Sequence, residues 1–211
     1  MNTKVAVLPL KRLICMLAIA FLFLSCSKDK KSETQNQVLA DTKGGAGGKI
    51  IRVTNLNSSG EGSFREAVNT KGPRIIVFEV GGVIDLDKKD VSIEEPFVTI
   101  AGQTAPSPCI TLIRGAVYIF THDVILRHLM VRPGDAGAPK NSGWSTDGIS
   151  TAGGDAYNIL IDHCSVTWGT DENLSTSGSR VKGPDSTSHK VIISNCLIAE
   201  GLSYSSHKIG E

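Results

Sequence analysis

Four segments of this chain carry one apolar-x-apolar beat: Val98-Thr-Ile100, Val124-Ile-Leu126, Ile159-Leu-Ile161 and Val191-Ile-Ile193. Behind three of them a second beat follows a polar corner, in Arg127-His128-Leu-Met-Val131, Asp162-His163-Cys-Ser-Val166 and Ser194-Asn195-Cys-Leu-Ile198. Strict alternation puts every second side chain on one face of a strand, and no helical period competes with it here. The starts at 98, 124, 159 and 191 are unevenly spaced. Short strands that recur every few tens of residues, joined by loops of variable length, mark a β-solenoid. One such coil cannot bury its own inner face, whereas stacked coils share a core. The pattern therefore predicts an all-β chain, a right-handed parallel β-helix of several coils. The 22 glycines and 5% aromatic residues fit a turn-rich β architecture better than a helical bundle, because glycine is poorly tolerated inside helices.

Earlier stretches extend the pattern. Lys49–Val53, Arg74–Val80 and Gly82–Leu86 read as strands, and Ser63–Val68 reads as one short helix over an early coil. Ser63 is its N-cap, with Glu66 three residues later completing a capping box. His128, His163 and Asn195 fall at the same corner of successive coils and are expected to form a hydrogen-bonded ladder down the solenoid. The same reading gives His163 a structural role, and Asp162 the task of orienting a corner group. Cys164 and Cys196 occupy equivalent places; they read as two small buried hydrophobes, with stacked neighbours as the alternative.

The first residues differ in kind. Lys4, Lys11 and Arg12 precede an apolar run from Leu13 to Leu24, which gives way at Ser25-Cys26 to a polar stretch. A run of about a dozen residues is too short to span a bilayer and suits a signal-peptide core. Residues 1–25 are thus expected to be a leader of the bacterial lipoprotein kind, with Cys26 acylated, although Phe23 and Leu24 depart from the usual lipobox. An ordinary signal peptide with an incidental cysteine is the alternative. Residues 26–43 lack periodicity and read as a flexible tether, leaving 44–211 as the β-helix domain. The expected location is a membrane-anchored lipoprotein exported across the inner membrane, on the outer membrane, in the periplasm or at the cell surface. Of five cysteines, Cys109, Cys164 and Cys196 remain for the domain, an odd number that implies no disulfide framework. A formal net charge of +1 gives no reason to expect a nucleic-acid partner, and a monomer is expected.

The chemistry concentrates between Trp144 and Leu174. Asp147 and Asp171 flank a segment whose apolar residues Ile159, Ile161, Cys164 and Val166 point one way. If one coil separates the two carboxylates they lie in adjacent rungs, roughly 4.8 Å apart. Like charges so close oppose each other unless a cation sits between them. Carboxylate oxygens on a rigid wall suit a hard cation, and for an exported protein that points to Ca2+. Glu172 is a weaker third ligand candidate, and Trp144 and Trp168, which border the acids, are weak candidates for stacking on sugar rings.

Six ordered pieces carry a resemblance: Gly60-Glu-Gly-Ser-Phe-Arg65-Glu-Ala-Val68, Gly72-Pro-Arg-Ile-Ile-Val-Phe78, Thr99-Ile-Ala-Gly-Gln-Thr-Ala-Pro106, Val131-Arg-Pro-Gly-Asp135, Asp147-Gly-Ile149 and Ile161-Asp-His-Cys-Ser165. Together they resemble the pectate lyase family of polysaccharide lyases, from about Gly44 onward. The resemblance implies calcium-dependent β-elimination of α-1,4-galacturonan, with pectate or a related polyuronide as partner. It matches Asp147 to the aspartate of the family's Asp-Ala-Ile piece and Asp171 to the first acid of an Asp-Gly-x-x-Asp piece, whose second acid falls at Ser175. It also implies an arginine base on a coil beyond the metal site, in an Arg-x-Pro-Arg context that does not follow Asp171 here. Arg132 lies before the metal site and Arg180 in a polar insertion, so no catalytic residue is assigned within this chain. The expectation is a β-helix incomplete at its C-terminal end, the front part of a longer enzyme. Two other readings stay open: a non-catalytic, pectin-binding β-helix lipoprotein, and a hydrolase resembling polygalacturonases. The hydrolase needs paired carboxylates flanking the bond, which adjacent strand residues such as Asp171 and Glu172 would not supply.

Overall fold

The computed structural model describes residues 42–208, so the leader, Cys26 and most of the tether lie outside the described residues. Fifteen strands run in chain order: β1 (Lys49–Val53), β2 (Arg74–Phe78), β3 (Gly82–Asp85), β4 (Val91–Ile93), β5 (Val98–Ala101), β6 (Ile110–Ile113), β7 (Val117–Ile119), β8 (Val124–Arg127), β9 (Leu129–Arg132), β10 (Ile149–Ala152), β11 (Tyr157–Asp162), β12 (Ser165–Thr167), β13 (Leu174–Ser177), β14 (His189–Ser194) and β15 (Leu197–Ala199). They form three sheets in which every strand pairing is parallel: β1-β2-β5-β8-β11-β14, β3-β6-β9-β12-β15 and β4-β7-β10-β13. The first, second and third of these are sheets A, B and C below. From β2 onward each turn of the chain visits A, then B, then C, and this is a parallel β-helix.

The register is the one the repeated beat dictates. Val98 pairs with Val124, Val124 with Ile159 and Ile159 with Val191. Ile76, Val98, Ile100, Val124, Leu126, Ile159 and Ile161 are all buried and belong to one continuous core. Similar branched side chains stacked in register remove apolar surface from water, worth about 25 cal/mol for each Å² buried, and one coil alone offers nothing to stack on. The last described coil, β14 and β15, forms the edge of sheets A and B, and Ile193, Leu197 and Ile198 are exposed there.

The corners are sharp, and several are made by residues other than glycine in the left-handed region. His128 (φ +53°), His163 (φ +54°) and Asn195 (φ +52°) turn sheet A into sheet B. The expected ladder is present in a modified form. The His128 and His163 rings stack at 4.8 Å, while His163 and Asn195 both reach Asp162, at 2.9 and 3.0 Å. Asp162 also accepts from Ser194 Oγ at 2.8 Å and lies 3.3 Å from Arg127 Nε. Burial raises the Asp162 carboxyl, but the hydrogen bonds from Asn195, Ser194 and His163 outweigh it and hold it at about 2. Cys164 and Cys196 are free thiols in adjacent coils, joined through the Leu197 N–H to Cys164 carbonyl bond.

Helix α1 (Phe64–Asn69) lies over the first coil. Phe64, Ala67 and Val68 are buried in the common core, and the Phe64 ring meets Phe78 at 5.6 Å. The Glu66 N–H donates to Ser63 Oγ, as an N-cap requires. The returning Glu66 carboxylate takes the N–H of Gly62, one residue before the cap, and this corrects the expected capping box by one position. Arg74 is fully buried and donates to the carbonyls of Val68, Gly72, Glu95 and Pro96. It fastens the end of α1 to the junction between the first two coils. Burial lowers its pKa and the Glu95 charge opposes that shift.

Candidate metal and substrate site

The site lies where sheet B turns into sheet C. There Asp147, Asp171 and Glu172 bring carboxylate oxygens within 4.8 Å of one another. Two short backbone runs are pinned side by side to achieve this. Thr170 and Asp171 both donate N–H to the Thr146 carbonyl, at 3.1 and 3.4 Å, and Gly148 donates to the Glu172 carbonyl at 2.9 Å. Thr146 N–H donates to Thr170 Oγ1 at 2.9 Å, and the Glu172 N–H points at Asp147 Oδ1 at 3.4 Å. Gly148 admits no side chain. A Cβ there would stand 2.1 Å from Val166 Cγ1 and 2.4 Å from the Asn173 carbonyl oxygen. The glycine in Asp147-Gly-Ile149 is thus fixed by close approach of the next coil.

The register refines the expected pairing. Ile149 lies opposite Leu174, so Asp147 has Glu172 as its rung-to-rung neighbour, and Asp171 joins them from the preceding bend. Asp171 and Glu172 precede β13 and are not strand residues. The expectation that they point to opposite faces is therefore corrected: alternation applies only inside a strand, and here both carboxylates converge. Burial first, and then the Asp171 and Asp147 carboxylates, push Glu172 up to about 7. Three oxygen-only donors crowded so that one resists ionising are the donor set that a hard divalent cation relieves.

Further groups reach the cluster that the sequence did not reveal. Ser145 Oγ donates to Asp171 Oδ2 at 3.1 Å, and His207 Nε2 lies 3.5 Å from the same oxygen. Burial first, and then Asp147 and Asp90, raise the Tyr118 phenol to about 12. Asp90 accepts from the Ala116 N–H and, at 3.5 Å, from Thr146 Oγ1. Only coil register could have pointed to Tyr118. His207, far along the chain, gives no sequence signal.

The other expected positions separate. Ser175 is spent on Ser150, hydroxyl to hydroxyl at 2.7 Å, on the outer face of sheet C. Trp144 is half-buried, with Lys88 Nζ 5.9 Å from its ring centre and its carbonyl bonded to Ser206 Oγ. Trp168 is 46% exposed, and its indole N–H donates to Glu200 at 3.1 Å. Arg132 is held on sheet B by the Ser165 carbonyl and hydroxyl, both at 2.6 Å, and Arg180 is exposed on the excursion after β13.

No family model matches the chain. It is 42% identical over 164 residues to a probable pectate lyase C of Emericella nidulans. The same span is 41% identical to a protein of that name from Aspergillus flavus and 38% identical to one from Neosartorya fischeri. The match covers 77% of this chain and 35% of each relative, so the chain spans about a third of the length of the curated relatives it matches.

Proposed function

We propose that this β-helix is part of a pectate lyase of the polysaccharide lyase kind, binding a polyuronide through calcium at Asp147, Asp171 and Glu172. One observation carries the reading. Three carboxylates converge on the wall of a parallel β-helix, in a chain about 40% identical to proteins named probable pectate lyases. When bound, calcium supplies Lewis-acid chemistry, neutralising a substrate carboxylate and acidifying the neighbouring C–H.

The protein's own residues do the rest of the work. Asp147 and Asp171 set the charge of the site, Glu172 closes it from the next rung, and Ser145 orients Asp171. Calcium takes six to eight oxygens, and one oxygen from each of the three carboxylates fills half of that shell or less, so substrate oxygens and water belong in it. Proton abstraction is not assigned to a residue here, because Arg132 is engaged by Ser165 on another sheet. A hydrolase fits less well, since hydrolysis needs carboxylates on either side of the bond and these three gather at one point.

The test is ultraviolet absorbance of unsaturated uronates on polygalacturonate, with and without chelator. Calcium-dependent absorbance supports elimination. Calcium-dependent binding with no unsaturated product leaves a pectin-binding β-helix, and reducing ends without absorbance mean a hydrolase. The leader through Ser25 and acylation at Cys26 make the protein, in the same reading, a membrane-anchored lipoprotein. Cys26→Ser should move it from the membrane to the soluble fraction, and a variant that stays in the pellet would show that another segment is the anchor.

A further inference from the structure

Sheet C has an unusual outer face that is only partly open: Ser150 is 3% exposed, and Ser92, Tyr118, Ala152 and Ser175 are half-buried. With Val91, Val117, Ile119, Ile149 and Leu174 packed in or against the core, alternation leaves Ser92, Tyr118, Ser150, Ala152, Ser175 and Ser177 outward. Ser92, Tyr118 and Ser150 are paired neighbours across three coils, and Ser150 pairs with Ser175 on the fourth. Every outward side chain on these strands but one is a serine or an alanine. The exception is Tyr118. Phe120, just beyond the end of β7, stacks on it with ring centres 5.8 Å apart and planes 15° from parallel. Phe120 remains 41% exposed.

An aromatic pair beside a strip of small side chains, whose Ser150 and Ser175 hydroxyls bond to each other, leaves room for a pyranose with its apolar C–H face against the rings. We infer that Tyr118 and Phe120 form a ring-stacking subsite for the polyuronide, one coil before the acidic cluster. The inference rests on the calcium-dependent polyuronide reading above and adds to it a contact that uses neither charge nor metal. The occupant follows from the neighbourhood. Val117 and Tyr118 pair with Ile149 and Ser150, two and three residues after Asp147, so the ledge and the carboxylates border one space. A ligand in that space must meet aromatic rings and, on the proposed reading, a cation held by carboxylates, which a chain of uronic acids does. Trp144 and Trp168 are less suited, the first half-buried under Lys88 and the second tied to Glu200.

Titration calorimetry on the full-length protein with oligogalacturonates of increasing length, with and without calcium, tests the subsite. Phe120→Ala should weaken binding of the longer oligomers about five- to tenfold in calcium, with little change for the shortest that binds. Phe120→Trp should keep the parent affinity. Calcium binding without sugar should be unchanged in Phe120→Ala and weakened in Asp171→Asn. Phe120 is exposed, so its truncation should leave the melting curve intact. Tyr118→Ala gives an independent reading from the other ring. If the parent binds and both truncations bind every length as tightly, the subsite is wrong while the calcium reading stands. If the parent binds no oligogalacturonate, with or without calcium, the calcium reading falls and takes the subsite with it.

Discussion

Asp147 and Asp171 carry like charge on neighbouring coils, with Glu172, the rung partner of Asp147, pushed toward neutrality beside them. Removing one of these charges costs the fold little, because the metal-free cluster is already repulsive. Asp171→Asn should therefore lower calcium affinity about tenfold or more, roughly 1.4 kcal/mol, while the calcium-free melting temperature holds or rises. Oligogalacturonate affinity should fall with it, since ligands that share a cation strengthen each other reciprocally. Calorimetry on parent and variant decides this, and equal calcium affinity in the two would remove Asp171 from the site. Gly148 behaves in the opposite way. Its substitution by alanine places a Cβ against Val166 and the Asn173 carbonyl, overpacking that costs about 1–3 kcal/mol. Denaturant unfolding should show that loss, and a neutral Gly148→Ala would mean the next coil yields easily. Asp147 and Asp171 were legible as residue types at a telling separation. The convergence of Glu172 with them was not legible, because alternation holds only inside a strand and Asp171 and Glu172 precede β13.

At the scale of the element, the corner between sheets A and B shows how a polar ladder holds coils in register. Asp162 accepts from Ser194, Asn195 and His163, bonds that its neutral form would make less well. Its folded-state pKa of about 2 lies below the ordinary carboxylate value. A depressed pKa of this kind stabilises above the unfolded-state value near 4 and loses the contribution as pH falls through about 2. Asp162→Asn should thus destabilise at pH 7 by about 1.5 kcal/mol, and the gap to the parent should close as the pH approaches 2. Chemical denaturation across that range is the measurement, and a gap that stays constant with pH would assign the loss to packing. The sequence placed His128, His163 and Asn195 at one corner correctly. It could not separate ring stacking from hydrogen bonding, because the left-handed backbone at each position sets which way the side chains lean.

For the whole described molecule, stability is expected to follow the stacking of coils. In a solenoid each coil contacts only its neighbours, so the energy is close to a sum of coil terms and interface terms. That is why the fold was readable from apolar spacing alone, since every coil repeats the same solution. The site was only partly readable, because Tyr118, Ser145, His207 and the cluster meet through register and loops of irregular length. A nearest-neighbour sum also grades the molecule. Strands β8 and β11 have partners on both sides, and their inward residues Val124, Leu126, Ile159 and Ile161 are fully buried. Strand β15 has one partner, β12, and Leu197 and Ile198 stand exposed. Amides open locally with free energies that track such burial, so in the 211-residue chain taken by itself hydrogen exchange should be slowest in β8 and β11 and faster by orders of magnitude in β15. Calcium should then slow exchange most at 145–149 and 170–174, where the two backbone runs carry the carboxylates, and little in α1. Exchange followed by mass spectrometry reads both effects in one experiment. Equal protection in β15 and β8 would mean that the coils unfold as one cooperative block, and calcium protection centred away from 145–149 and 170–174 would move the metal to another part of the helix.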